Sequence, residues 1–305
     1  MKFTALAALI LTLVGVTARA EVPRVVADIA PVHSLVARVM KGAGAPDLLM
    51  PAGTSPHDHA LKPSTALALA QADLIFWIGP ELTPWLKRAV SSLGSEARSV
   101  AFLSNGQIET LARREDAAFK TDGHDHDHDH SHDHGAPDPH LWLDPRNGSE
   151  MLGIIAAALS EADPVNAALY ASNAADAMGE LQSLEGEISE MLSPLQDRGF
   201  LVFHDAYHYF EDRFALKAAG AVAPSDGAQP GPARVASLRK MVREGGVVCV
   251  FSEPQLDARA LRLVAADAGL KAGVLDPLGI GVTPGPALYP QVLRGLAVAM
   301  RDCLG

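Results

Sequence analysis

The chain of 305 residues carries 25 basic and 36 acidic side chains, so its formal net charge is −11 with histidine neutral. This charge repels phosphate backbones and anionic membranes, which excludes nucleic acid as an expected partner and favours cations. The two cysteines, Cys249 and Cys303, are too few for a disulfide-rich scaffold, and their spacing does not resemble a Cys-x-x-Cys metal site.

Residues 1–20 have the layout of a secretory signal peptide. Lys2 precedes an apolar stretch, and residues 18–20 form an Ala-x-Ala cleavage site. No later segment reaches the roughly 20 apolar residues that a membrane-spanning helix requires. We therefore expect an exported, soluble protein that begins near Glu21.

Short apolar runs alternate with helical patterns along most of the remaining chain. Such runs are typical of parallel strands that helices cover on both faces. They occupy residues 24–29, 47–51, 74–78, 200–203, 247–251 and 272–275. We predict an α/β fold in which two similar lobes contain mostly parallel sheets flanked by helices.

A long helical pattern lies between the two halves. Asp163 and Pro164 resemble an N-cap followed by proline at the first helical position, and the apolar residues that follow repeat at helical spacing. We predict one long rigid helix, with two shorter helices broken at Gly179 or Gly186 as the alternative. The predicted parts are an N-terminal lobe at residues 21–162, the linking helix at residues 163–195 and a C-terminal lobe at residues 196–305.

The two cysteines have two possible states. In an oxidising compartment Cys249 and Cys303 are expected to pair and tie the C-terminal tail to a strand, with two buried free thiols as the alternative.

Residues 115–139 are charged and lack apolar periodicity, so we predict a mobile loop within the first lobe. Its six histidines stand on alternate positions: His124, His126, His128, His130, His132 and His134.

Three other histidines stand where a ligand could be held rigidly. His57 lies in a turn-like stretch after a strand, His140 begins an apolar phrase, and His204 ends a predicted strand. Ends of parallel strands collect ligand-binding residues in α/β lobes, so these rings could converge between the lobes. Three imidazoles and one carboxylate favour zinc. Asp276, also at a strand end, is the preferred fourth ligand, and Glu253 is its competitor.

Six motifs resemble those of the ZnuA family, the periplasmic zinc-binding proteins of ABC transporters for high-affinity zinc uptake. In chain order they are SPHDHALKPS at 55–64, ADLIFWIG at 72–79, HLWLDP at 140–145, FHDAYHYF at 203–210, FSEPQ at 251–255 and LDPLG at 275–279. The resemblance implies two α/β lobes joined by one long helix, with the metal between them. It implies His57, His140 and His204 as ligands, with Asp276 completing the site, Zn²⁺ as the transported ligand and a membrane permease as the partner.

The resemblance also bears on the choice of metal. Related manganese and iron binders usually carry a glutamate where His204 stands, which makes this histidine the sharpest indication of zinc. Copper and nickel also suit imidazole ligands. Pro56 stands where some zinc binders have glutamate, His59 where an aromatic residue is common, and His208 where glycine is common. We favour His57 over His59 as the ligand, and a solvated helix surface as the setting of His208.

Two other functions compete with transport. A zinc hydrolase would keep an open coordination position for water, and the chain contains neither H-E-x-x-H nor G-x-S-x-G. A periplasmic zinc reservoir or adhesin would bind the metal without a transporter. We expect a periplasmic monomer that is not an enzyme and has no catalytic residues.

The predicted loop generates a first test. Ordering a flexible segment costs entropy, so its His and Asp pairs should bind zinc less tightly than a rigid pocket does. A chain that lacks residues 123–135 should therefore keep one tight zinc site and lose the weaker ones, as counted by isothermal titration calorimetry. Loss of the tight site after this deletion would show that the loop and the pocket are not separate sites.

Overall fold

A computed structural model describes residues 22–51, 53–57, 59–114, 118–119, 135–223, 230–256, 259–265 and 269–305. The predicted signal peptide lies outside these residues, as do the six alternating histidines of the predicted loop. Within the described ranges, no helix has both the length and the apolar character that crossing a membrane requires.

Two four-stranded sheets form the framework, and every strand pair within them is parallel. The strand order is β2-β1-β3-β4 in the N-terminal lobe and β6-β5-β7-β8 in the C-terminal lobe. The strands are β1 Val25–Ala27, β2 Asp47–Leu48, β3 Leu74–Trp77, β4 Arg98–Ala101, β5 Gly199–Val202, β6 Ala218–Ala221, β7 Val247–Ser252 and β8 Lys271–Val274. The predicted α/β fold with parallel sheets is confirmed.

Helices follow most of the strands. They are α1 Ala30–Val39, α2 Pro63–Gln71, α3 Pro84–Leu93, α4 Pro145–Ala162, α5 Ala167–Leu192, α6 His208–Phe214, α7 Pro232–Glu244, α8 Arg259–Ala265 and α9 Leu288–Leu304. Short 3-10 turns occupy Phe102–Ser104, Leu141–Leu143 and Ser193–Leu195.

The long helix α5 begins later than the sequence indicates. Its first helical residue is Ala167, after Asn166, whereas the sequence pattern predicts a start at Pro164. The buried carboxylate of Asp163 accepts hydrogen bonds from the Asn166 side chain and the Tyr170 hydroxyl, and so organises the turn between α4 and α5. From Ala167 the helix continues for 26 residues without a break at either glycine within it.

Strands β4 and β6 were not predicted. Their sequences, Arg-Ser-Val-Ala and Ala-Ala-Gly-Ala, lack the run of large apolar residues used as the signal. Both lie at an edge of a sheet, where each pairs with a single strand among those described. Their pairing with β3 and β5 therefore determines their conformation more than side-chain preference does.

One hydrophobic core runs through both lobes. Alternate residues of the central strands, such as Phe76 in β3 and Phe200 in β5, belong to the same buried cluster. Helices α1, α4, α5 and α9 contribute to this cluster and pack against one another. Two smaller clusters cover the opposite faces of the sheets. Because the shared core joins the lobes, the division at residues 162/163 and 195/196 stays a prediction.

A disulfide fastens the end of the chain. Cys249 in β7 and Cys303 in α9 are bonded, with their Cα atoms 5.9 Å apart. The predicted pairing of the C-terminal tail with a strand is therefore present, and neither cysteine is a free thiol. The other end of α9 contacts the N-terminal lobe, where the Tyr289 backbone N–H donates to the Ser34 hydroxyl.

Gly148 in α4 leaves room for the side chain of Tyr289. A Cβ atom added at Gly148 would lie 2.3 Å from the Tyr289 hydroxyl oxygen and 2.8 Å from two ring carbons. Tyr289 is completely buried, and its hydroxyl donates to the Trp142 carbonyl. Gly186 in α5 differs, because a Cβ there would meet nothing within 4 Å.

These two glycines should therefore respond oppositely to the same substitution. Gly148→Ala should lower the free energy of unfolding by about 1–3 kcal/mol, because it overfills a packed core. Gly186→Ala should raise it by about 0.5–1 kcal/mol, because alanine loses less backbone entropy in a helix. Urea denaturation of both variants and the parent measures the difference. If both substitutions changed the free energy of unfolding equally, the tight packing of Tyr289 against α4 would be contradicted.

Candidate metal centre

The three predicted histidine ligands meet at the junction of the two lobes. His57 lies in the loop between β2 and α2, His140 directly precedes the turn Leu141–Leu143, and His204 follows β5. One ring nitrogen of each can be chosen so that all three lie within 4.8 Å of one another. His140 and His204 are buried, while His57 is half-buried. Segments far apart in sequence thus present one cluster of metal donors.

The spacing within this cluster suits a tetrahedral ion. The Nε2 atoms of His140 and His204 are 3.4 Å apart. Two nitrogen ligands in a tetrahedral zinc site, each about 2.0–2.1 Å from the metal, lie about 3.3–3.4 Å apart. The ring centroids of His57 lie 5.6 Å from His140 and 6.3 Å from His204. The cluster can therefore offer three imidazoles to one cation.

Carboxylates lie behind two of these rings. His140 Nδ1 is 2.7 Å from Asp138 Oδ1, and His204 Nδ1 is 2.6 Å from Glu253 Oε1. Both acids are buried. Burial raises the pKa of Asp138 to about 6, against the opposing effects of a hydrogen bond from the His140 backbone and the nearby charge of His208.

The predicted fourth ligand has other contacts. The carboxylate of Asp276 accepts hydrogen bonds from the backbone N–H groups of Leu278, Gly279 and Gly281, at 3.2, 2.8 and 3.3 Å. Among the described residues, the group of possible ligand atoms that lie within 4.8 Å of one another comes from the three histidines and does not include Asp276. Its role as fourth ligand stays a prediction, as does that of its competitor Glu253.

The two other histidines singled out from sequence, His59 and His208, have different contacts. The His59 ring contacts the Trp85 ring edge to face, with centroids 5.0 Å apart, and desolvation lowers its pKa. The structure thus places His57, and not His59, with the other two rings. His208 begins α6, and its Nδ1 atom is 4.0 Å from the second oxygen of Asp138.

Asp138 and Arg114 are functional candidates that the sequence reasoning missed. Asp138 stands two positions before His140 in Pro-Asp-Pro-His, and a carboxylate so near a predicted ligand was an available signal. Arg114 had no local signal, because its partners, Asp205 and Glu211, are more than 90 positions away.

Arg114 reaches from the N-terminal lobe to the C-terminal lobe. Its Nε atom donates to Asp205 at 2.9 Å, and its Nη1 atom donates to Glu211 at 2.9 Å. Its guanidinium also lies over the ring of Phe119, 3.9 Å from the ring centroid. Because Asp205 directly follows His204, this contact ties a predicted ligand segment to the opposite lobe.

A second arginine crosses the junction in the other direction. Arg213 in α6 donates from Nε and Nη2 to the two carboxylate oxygens of Asp144, at 2.9 and 2.6 Å. The Tyr209 hydroxyl donates to the Asp138 carbonyl at 2.8 Å and accepts from the Leu111 backbone N–H at 3.0 Å. Polar contacts in both directions across the junction therefore hold the lobes in one relative position.

Comparison with known proteins identifies the family. The family model of the zinc-uptake complex component A periplasmic, ZnuA, matches residues 25–303. The chain belongs to the ZnuA family. It is 43% identical over 308 residues to the "High-affinity zinc uptake system protein ZnuA" of Paracoccus denitrificans, an alignment that covers 94% of each protein.

Solved structures share the fold of this ZnuA-family chain. A crystal structure of ZnuA superposes with a TM-score of 0.77 at 22% identity, covering 93% of this chain and 99% of that one. A manganese-bound periplasmic metal-binding protein from Candidatus Liberibacter asiaticus also gives a TM-score of 0.77, at 19% identity, covering 93% of this chain and 100% of that one. At such identities the likeness concerns the fold alone.

The contacts of Arg114 generate a prediction about the junction. Arg114→Ala should lower the free energy of unfolding by about 3 kcal/mol, because it leaves the largely buried carboxylates of Asp205 and Glu211 without their cation. It should also weaken zinc binding, because Asp205 adjoins His204. Thermal unfolding and zinc titration measure the two effects. Arg113→Ala removes the neighbouring exposed cation and is the control, so equal losses in both variants would contradict a specific role for Arg114.

Proposed function

We propose that this protein captures Zn²⁺ in the periplasm and delivers it to the membrane permease of an ABC transporter. The observation that carries the proposal is the convergence of His57, His140 and His204 within 4.8 Å between the lobes. The name of the Paracoccus denitrificans relative, a high-affinity zinc uptake system protein, supports the same function. The signal peptide predicted at residues 1–20 supports the periplasmic location.

The donor atoms, and not the fold, indicate the metal. A manganese-bound protein shares the fold, so the architecture accommodates more than one cation. Imidazole nitrogen suits zinc, whereas manganese sites are rich in carboxylate oxygen. Three imidazoles in one cluster therefore favour zinc over manganese. The 3.4 Å separation of two ligand nitrogens agrees with the tetrahedral geometry that zinc adopts.

Asp276 is the proposed fourth ligand. Its Oδ2 atom accepts one backbone hydrogen bond, from Gly281, and a carboxylate oxygen has about two acceptor positions. Oδ2 therefore keeps one acceptor position that could bind a metal. The turn at Leu278 and Gly279, whose N–H groups donate to Oδ1, would be preserved. Four protein ligands would complete a tetrahedron, which is typical of zinc sites that do not activate water.

The histidine-rich segment has a proposed auxiliary role. His124, His126, His128, His130, His132 and His134 would bind zinc weakly and raise its concentration beside His140. In sequence the last of these histidines stands six positions before His140, and Asp138, between them, contacts the His140 ring.

Substitution of two neighbouring histidines tests the ligand assignment. His57→Ala should weaken zinc binding by roughly 100-fold, because a zinc-site free energy of about 10–16 kcal/mol shared by four ligands is about 3 kcal/mol for each. His59→Ala, in the same loop, should leave the affinity close to that of the parent. Competition with a fluorescent zinc chelator measures both dissociation constants. A larger loss in His59→Ala would overturn the choice of His57.

Growth separates transport from the other functions. Cells without the gene should grow poorly when zinc is limiting, and the parent gene should restore growth while the His57→Ala gene should not. Growth unaffected by the deletion would contradict a transport role and favour a reservoir or adhesin. Hydrolysis of a reporter ester by the zinc-saturated protein would instead favour a hydrolase.

A further inference from the structure

The structure assigns Asp138 and Glu253 as positioning residues that hold the rings of His140 and His204 by Nδ1 and present Nε2 to the metal. This inference rests on the proposed zinc site and concerns how its two buried rings are kept ready for the ion.

The hydrogen positions follow from the contacts. A neutral imidazole carries one N–H group, and its other nitrogen keeps the lone pair that binds a metal. An ionised carboxylate only accepts hydrogen bonds, so the Asp138 and Glu253 contacts at 2.7 and 2.6 Å select the tautomer with hydrogen on Nδ1. Both Nε2 atoms then offer lone pairs, and they already lie 3.4 Å apart.

Asp138 is itself held firmly. Its Oδ1 atom also accepts from the His140 backbone N–H at 3.0 Å. Its backbone N–H donates to the Leu111 carbonyl at 2.8 Å, and its carbonyl accepts from the Tyr209 hydroxyl at 2.8 Å. Tyr209 belongs to the C-terminal lobe, so both lobes fix the residue that orients His140. An anchor of this kind restricts rotation of the imidazole.

Glu253 is placed in a comparable way. It follows β7, the strand beside β5, whose end carries His204. Its second oxygen accepts from the Gln255 side-chain amide at 2.8 Å, and the side chain is almost completely buried. Each carboxylate therefore comes from the same lobe as the ring it holds, and each lobe presents one oriented imidazole.

His208 is another titratable side chain close to Asp138, besides Arg113, Arg114 and Tyr209. Its Nδ1 atom is 4.0 Å from Asp138 Oδ2, beyond hydrogen-bond distance, and this oxygen has no hydrogen-bond partner among the described residues. The hydrogen bond to His140 uses Oδ1 and does not depend on His208. His208→Ala should therefore preserve the orientation of the His140 ring.

Zinc affinity provides the first readout. Asp138→Ala and Glu253→Ala should each weaken zinc binding by about 10- to 100-fold. Asp138→Asn and Glu253→Gln should lose less, because an amide oxygen can still accept from Nδ1, and they keep the side-chain volume if the alanine variants fold poorly. Asp163→Ala is the matched control. It removes a buried carboxylate at the C-terminal end of α4, about 27 Å along the helix from the N-terminal end that follows His140. It should leave zinc affinity unchanged.

The tautomers provide a second readout that does not require the metal. Histidine ¹⁵N NMR spectra of the zinc-free parent at about pH 8, where imidazole is neutral, should show hydrogen on Nδ1 for His140 and His204. Each alanine variant should change this signature for its own ring, while Asp163→Ala and His208→Ala should not. A merely structural role of the carboxylates would leave the tautomers unchanged.

The two readouts separate this inference from the proposed function. If the parent binds zinc tightly and the alanine variants bind it equally well with unchanged tautomers, the positioning role is overturned and the zinc site stands. If the parent binds no zinc but its rings carry hydrogen on Nδ1 and lose that preference in the variants, the proposed function fails and the positioning role stands.

Discussion

The cluster of three imidazoles depends on a fixed relationship between two lobes. His140 and His204 belong to opposite lobes, yet their Nε2 atoms are only 3.4 Å apart. A small rotation of one lobe would change this distance by more than the tolerance of a zinc coordination bond. Arg114 and Arg213 cross the junction in opposite directions, and each pairs with carboxylates of the other lobe. The distances between the three rings therefore depend on contacts along the whole junction between the lobes.

Apolar patterns predicted much of the fold. Buried parallel strands carry large aliphatic and aromatic residues on both faces, and this signal located three of the four strands of each sheet, including both central ones. It failed for β4 and β6, because edge strands of small or polar residues owe their conformation to backbone pairing with a neighbour. It also misplaced the start of α5, where the buried carboxylate of Asp163 organises a turn before the helix.

The candidate ligands could be selected from sequence for a related reason. Parallel strands place their carboxyl ends at one edge of a sheet, which brings His57 and His204 to a common region because both follow strands. His140 follows no strand directly, and its selection rested on the apolar phrase that it begins and on the resemblance to the ZnuA family. The contacts that orient them leave weaker traces. Arg114 meets Asp205 and Glu211 only after the chain has folded, and no local pattern distinguishes it from the adjacent Arg113. Glu253 was noticed, but sequence could not distinguish a metal ligand from a carboxylate that holds a ligand ring.

The shared core has a consequence for how the molecule loses its structure. Two lobes with separate cores can melt one after the other, as independent domains do. Here α1, α4, α5 and α9 contribute to one apolar cluster with strands of both sheets, and a disulfide fastens the end of α9 to β7. Neither half can expose its part of this shared cluster without exposing the part that the other half contributes. The metal-free protein should therefore behave as a single cooperative unit, with equal calorimetric and van't Hoff enthalpies.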